Sequence, residues 1–265
     1  MRTNRETLSL ALSLEKQIVG AAMGKATWEI ARKTLHPEVE GVENFAIARA
    51  HLRAGGSIII YLNDPTEKTG VPLVANAIET NLVSLDHAGV FVSRRQVDWR
   101  QGKHIPNYAQ HLLLESFWGE YPGVTMIRTV QEKDRWRYPD WAEFNAKGYK
   151  RAEKLATTKG NAFAITPTAE RNPNGLTKAH IGFAALLREA RDIALAMPIA
   201  VPNGTSKVIA GAPFSYRQVF EERNLYPGMD MTTRMMARLA ILLPLEQRGV
   251  YAEAALKFVM PPTNS

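Results

Sequence analysis

The stretch Gly55-Gly56-Ser57-Ile58-Ile59-Ile60-Tyr61-Leu62-Asn63-Asp64-Pro65-Thr66-Glu67-Lys68-Thr69-Gly70 decides how the chain folds. From Ile58 to Leu62 an apolar, largely β-branched run carries no charge. A short run of this kind, bounded by Gly-Gly on one side and a polar turn on the other, reads as a strand buried on both faces, hence in a parallel sheet. The polar turn Asn63 to Gly70 leads into an expected helix over 72–81, with Pro72 suited to its first turn. Strand, polar loop and helix form the unit that sets functional groups at the carboxyl edge of a sheet.

Upstream, Val39 to Phe45 predicts a short strand and turn, and Phe45 to Arg53 a helix stopped by Gly55-Gly56. Residues Arg5 to Leu35 hold no proline and predict helix, with Leu8, Leu10, Leu12, Leu14, Ile18 and Val19 as apolar positions and Gly20 and Gly24 as interruptions. His36-Pro37 ends that segment. Downstream, strands are expected at Gly89–Val92, Val124–Arg128, Ala162–Thr166, Ile199–Pro202 and Lys207–Ala210. Helices are expected at Ile105–Trp118, Asp140–Thr158, Lys178–Met197, Ser215–Glu222, Thr232–Gly249 and Ala252–Val259. The alternation predicts an α/β fold: a mostly parallel mixed sheet flanked by helices, with an N-terminal helical segment over 1–36 and the α/β domain over 37–260.

With 265 residues, 45% hydrophobic and 22% charged, the chain has globular composition, which excludes disorder and collagen-like repeats. The absence of cysteine excludes a thiol nucleophile, zinc–thiolate sites and iron–sulfur clusters. No run reaches the roughly 18–20 apolar residues of a membrane span. The best candidate, Phe183 to Val201, is broken by Arg188, Glu189, Arg191 and Asp192. The expected location is therefore cytoplasmic, at most peripheral on a membrane surface. A net charge of +7 favours anionic partners such as phosphorylated metabolites or lipid headgroups. The basic segment from Arg128 to Lys154 carries Trp136, Tyr138 and Trp141, but Glu132, Asp134, Asp140, Glu143 and Glu153 dilute it to a solvated helical face. Nucleic acid is not an expected partner. No two of the six histidines stand at i, i+4, so no helical metal site is expected, and Asp86-His87 is an isolated candidate.

Two loops concentrate polar residues at expected strand ends: Asn63 to Gly70, and Ile165-Thr-Pro-Thr-Ala-Glu-Arg171-Asn172. In a parallel sheet both emerge at one edge and can face one cleft, although plain turns favour the same residue types.

The order of these features resembles the glycerolipid acyltransferases that acylate glycerol 3-phosphate or lysophosphatidate. Gly41-Val-Glu43-Asn44 is similar to that family's opening G-x-E-N element, and Ile58 to Gly70 stands where a strand ends in N-H-x-x-x-x-D. Gly123-Val-Thr-Met-Ile127-Arg128-Thr129 resembles its G-x-x-x-I-x-R block, with the arginine one position early. Pro167-Thr-Ala-Glu-Arg171-Asn172 resembles its P-E-G-T-R-S loop, and Gly182 a glycine near the start of the next helix. Met197-Pro198-Ile-Ala-Val-Pro202 and Gly211-Ala-Pro213 look like its V-P-V-x-P strand and G-x-P turn. The likeness spans Val39 to Pro213.

The resemblance implies acyl transfer from a thioester, acyl-CoA or acyl carrier protein, to a hydroxyl of glycerol 3-phosphate or a lysophospholipid, without a metal or organic cofactor. It implies Asp64 at the position of the general base and Thr69 at that of the aspartate orienting it. Asn63 is kept from the motif, and with Arg128, Arg171 and Lys178 it would bind substrate, guanidinium groups matching phosphate oxygens in bidentate fashion. The histidine itself is replaced. A carboxylate with an ordinary pKa of about 4 is a far poorer base toward an alcohol than imidazole at about 6.5. Three accounts follow: Asp64 is an unusual base, another histidine such as His87 substitutes, or the chain is an inactive acyltransferase, natural or engineered. A non-catalytic lipid- or phosphate-binding protein on the same fold is the alternative. The segment 1–36 either packs on the core or lies on anionic lipid. Reversible association with anionic vesicles is the most its residues predict; vesicle co-sedimentation of the intact chain and of a folded chain lacking 1–36 decides, and identical partitioning would rule the segment out as an anchor.

Overall fold

All six residues from Ser57 to Leu62 are buried in a strand, as their composition requires. The computed structural model describes residues 29, 33–63, 70–82, 92–94, 127–130, 135–136, 138–168, 172, 174–180 and 182–259. In chain order its elements are β1 (Glu38–Glu40), α1 (Val42–Arg53), β2 (Ser57–Leu62), α2 (Gly70–Asn81), β3 (Val92–Arg94), β4 (Ile127–Thr129), α3 (Trp141–Ala156), β5 (Ala162–Ile165), α4 (Gly182–Glu189), β6 (Ala194–Ala200), β7 (Lys207–Ala210), β8 (Phe214–Ser215), α5 (Tyr216–Glu221), α6 (Met231–Ala240) and α7 (Ala252–Val259). The main sheet has the order β1-β7-β6-β2-β5, with β8 also on β6. β2 runs parallel to both β5 and β6, and β1 parallel to β7, while β7 and β8 run antiparallel to β6. The fold is therefore α/β with a mixed, mostly parallel sheet. β3 and β4 form a separate parallel pair.

The period-two geometry of a strand divides β2 between two cores. Ile58, Ile60 and Leu62 join Phe45, Val74, Ile78 and Ile199 on the face covered by α1 and α2. Ile59 and Tyr61 join Phe163, Phe183, Leu187, Met235 and Leu239 on the face covered by α3, α4 and α6. Burial of each such side chain contributes on the order of 1.5–3 kcal/mol, so the apolar run stabilises the molecule from both sides at once.

The expected helix over Lys178–Met197 is corrected: α4 ends at Glu189, and Ala194–Ala200 is strand. Alanine, leucine and methionine are good helix formers, but pairing with β2 along its whole length overrides the local preference. The strand expected at Ile199–Pro202 accordingly starts five residues earlier. The expected helix Thr232–Gly249 ends at Ala240, ahead of Pro244, and continues as the 3-10 turns Leu245–Gln247 and Gly249–Tyr251. The expected helix at Ile105–Trp118 and almost all of the N-terminal segment lie outside the described residues. On α3, Lys147, Lys150, Arg151 and Lys154 are exposed, the solvated face the sequence implies.

Proline in the middle of a sheet removes a ladder donor and is tolerated chiefly at bulges. Pro198 lies in β6, between β2 and the β7/β8 edge. Across from it the register changes by one residue: Ile199 pairs with Ala210, yet Ala196 pairs with Phe214. The extra residue makes a bulge over 211–213 facing the proline, and Gly211 N donates to Pro198 O at 2.8 Å. A Cβ on Gly211 would stand 2.7 Å from Pro198 Cγ and 3.0 Å from Leu242 Cδ1. Gly41 is similarly confined: its φ is +76°, and a Cβ there would meet Ala210 O at 2.1 Å. Asn44 Nδ2 donates to that same carbonyl at 2.9 Å, so Gly41 and Asn44 of the G-x-E-N element dock the start of α1 on β7.

Replacing Gly211 by alanine should destabilise the protein by about 1–3 kcal/mol through overpacking. Gly182→Ala, whose Cβ would sit 3.6 Å from the Tyr149 ring, should be neutral or slightly stabilising. Urea unfolding midpoints of the two variants test the contrast.

Candidate functional site

β2 and β5 lie side by side and parallel, Tyr61 opposite Ile165, so the chain leaves both strands at the same edge. Asn63 follows β2 directly and is 6% exposed. Its Nδ2 donates to Val201 O and its Oδ1 accepts from Val201 N, both at 2.8 Å. This ring of two bonds extends the β2–β6 pairing past the end of the ladder. The same device recurs where Asn145 of α3 accepts from Val130 N and donates to Val130 O.

Beyond β5, Pro167 O accepts from His180 N at 3.1 Å, turning the chain back across the sheet edge. Asn172 Oδ1 accepts from Asn174 N at 2.9 Å. The segment then meets the loop after α6. Leu176 N donates to Gln247 O, and Val250 N donates to Leu176 O. Two glycines permit this approach: at Gly175 (φ +106°) a Cβ would stand 2.5 Å from Gln247 O, and at Gly249 (φ +53°) one would stand 2.1 Å from Leu176 O. Gln247 Oε1 accepts from Asn203 N at 2.8 Å, which ties the loop to the end of β6. Tyr251 Oη accepts from Ala179 N at 2.8 Å.

Beside these contacts is a partly open pocket of about 10 Å³ lined by Asn63, Thr168, Asn172, Leu176, Asn203 and Gln247, room for about one water-sized group. Thr168 is 2% exposed. Of the residues singled out from the sequence, Asn63 lines this cavity. Lys178 is exposed and follows Leu176 by two positions in the cavity wall. The backbone of Arg128 belongs to β4, in the separate pair. Asp64, Thr69, Arg171 and His87 lie outside the described residues. Asn203 and Gln247 carry no motif of their own. Thr168 and Asn172 belong to a loop recognisable as polar, whereas Gln247 falls inside an expected helix, where Pro244 and Gly249 are the signals for a loop.

The floor rests on Tyr61, whose Oη donates to Met235 O at 2.8 Å. Its ring centroid lies 4.8 Å from Phe183 and 6.1 Å from Phe214. Burial pushes the phenol well above its ordinary pKa, the Arg238 guanidinium opposes that shift, and Glu222 adds to it. Arg238 pairs with Glu222 and lies 4.5 Å over the Phe214 ring. Among the described residues no group of three metal-ligating side chains occurs, and no helix is long and apolar enough to cross a membrane.

Neither a family model nor a curated protein matches the chain.

Tyr61→Phe should cost about 1–2 kcal/mol at neutral pH, where Met235 O loses its phenol donor. The phenol ionises near pH 10 in the unfolded chain and only at higher pH when buried. Its contribution is therefore complete below about pH 10 and declines above it, by up to about 1.4 kcal/mol per pH unit. The stability gap between parent and Tyr61→Phe should narrow from about pH 8 to about pH 11, which urea titrations at both values measure.

Proposed function

We propose that the protein is an acyltransferase-like protein taking an acyl group from acyl-CoA or acyl carrier protein to a hydroxyl of glycerol 3-phosphate or a lysophospholipid. The observation that carries this reading is the parallel pairing of β2 with β5, which brings the starts of both polar loops to one sheet edge. In the reaction the acceptor hydroxyl gives its proton to a base as its oxygen attacks the thioester carbonyl carbon, the C–S bond breaks, and the sulfur leaves as the thiol once the base returns that proton to it. Asp64 would take that proton and Thr69 would stand beside it. Arg171 and Lys178, with Arg128, would hold the acceptor phosphate through charge-assisted hydrogen bonds. A carboxylate base makes turnover slow, because general-base assistance typically contributes 10²–10⁴-fold. Asp64 in place of the family's histidine also favours a second reading, a non-catalytic lipid- or phosphate-binding protein on the same fold.

Thioester turnover assayed with glycerol 3-phosphate and with lysophosphatidate separates the two. The double change Asp64→His with Thr69→Asp should raise acyl transfer by about 10²–10⁴-fold, more than the product of the single changes, since imidazole and carboxylate act as a unit. Turnover by the parent that Asp64→Asn abolishes would make Asp64 the base. Turnover that survives Asp64→Asn would move the chemistry to another residue, with His87 next to be replaced. No turnover by parent or double variant would leave the binding-protein reading.

A further inference from the structure

The cavity at the ends of β2, β5 and β6 has an asymmetric lining. Three of its side-chain amide oxygens each accept one hydrogen bond from a backbone N–H: Asn63 Oδ1 from Val201, Asn172 Oδ1 from Asn174, and Gln247 Oε1 from Asn203. A backbone N–H can only donate, so each bond settles which end of its amide is oxygen and which is nitrogen. Donors are left over. Asn63 Nδ2 gives one hydrogen to Val201 O and keeps one, and the NH₂ groups of Asn172 and Gln247 meet no acceptor among the described residues. Thr168, a residue 2% exposed, adds a hydroxyl.

A pocket of about 10 Å³, lined by Thr168 and the carboxamides of Asn63, Asn172, Asn203 and Gln247 beside Leu176 and Leu243, has room for one oxygen atom. We infer that this cavity is a receptor for a single electron-rich oxygen, a phosphate oxygen or a thioester carbonyl oxygen, held by Thr168 and the amide nitrogens of Asn63, Asn172 and Gln247. The choice of ligand classes rests on the acyltransferase reading, whereas the donor polarity of the cavity does not. Neutral donors suit a carbonyl oxygen that gains charge only as the tetrahedral intermediate forms, and they suit a phosphate whose remaining charge is met outside, where Lys178 is exposed.

Two isosteric changes test the inference. Gln247→Glu and Asn172→Asp keep the oxygen that accepts from Asn203 N or Asn174 N and exchange the free NH₂ for a second oxygen. Thr168→Val removes a hydroxyl without adding charge, with Thr168→Ser as its rescue. Asn174→Asp, at an exposed position outside the cavity, is the control for added charge alone. Calorimetry on the full chain would use inorganic phosphate, glycerol 3-phosphate and a phosphate-free acyl thioester of N-acetylcysteamine as probes. Gln247→Glu and Asn172→Asp should each weaken at least one probe class by about tenfold or more, as expected for a hydrogen bond to a charged group. Thr168→Val should weaken it several-fold and Thr168→Ser restore it, while Asn174→Asp should change affinity less than twofold and melting temperatures stay close to the parent's. Loss confined to the phosphates identifies a phosphate oxygen, and loss confined to the thioester identifies the carbonyl. Unchanged affinities in all three cavity variants, equal losses in Asn174→Asp, or a parent that binds none of the probes would overturn the inference. Donor-dependent binding without any acyl transfer would retain it while removing the catalytic reading.

Discussion

Strand β2 can exist only between two other strands. All six of its residues are buried, so no water reaches its amides, and both of its edges must be paired or several hydrogen bonds are lost. β5 supplies one edge and β6 the other, each parallel. That constraint dictates the rest. Two parallel neighbours require crossover connections: that from β2 to β5 carries α2 and α3, which lie on opposite faces, and that from β5 to β6 carries α4. The polar loops after β2 and β5 then start at one edge as a consequence of strand direction alone.

The edge so formed is held together mainly by carboxamides and glycines. Asn63 and Gln247 each use a side-chain oxygen to satisfy a backbone N–H on or just after β6, at Val201 and Asn203. Gly175 and Gly249 let the two wall segments approach to backbone contact. The side chains that line the pocket at this edge carry no charge.

Legibility in the sequence followed the distance over which each feature is determined. Ser57–Leu62, Lys207–Ala210 and Ala252–Val259 announce themselves through composition and flanking residues, and each has the expected bounds. Ala194–Ala200 does not, because its residues favour helix and only the partner strand more than 130 residues upstream makes them extended. The site shows the same division. The loops holding Asn63, Thr168 and Asn172 are recognisable from turn chemistry. The pairing of Asn63 with Val201 and the contribution of Gln247 are invisible locally, since they arise where segments far apart in sequence are brought together.

That separation has a consequence for how the protein is made. The bonds defining the cleft floor join residues 138 positions apart at Asn63 and Val201, and 174 apart at Tyr61 and Met235. Contacts of such long range close late, because loop entropy must be overcome before they contribute. During synthesis from the N-terminus, β2 is exposed from the moment it leaves the ribosome until β6 follows. Six consecutive apolar or weakly polar residues with two unpaired edges are meanwhile open to other chains. The element that organises the finished molecule is therefore also its point of greatest risk during biogenesis, and chaperone dependence should be concentrated in the interval between the emergence of Leu62 and that of Ala200.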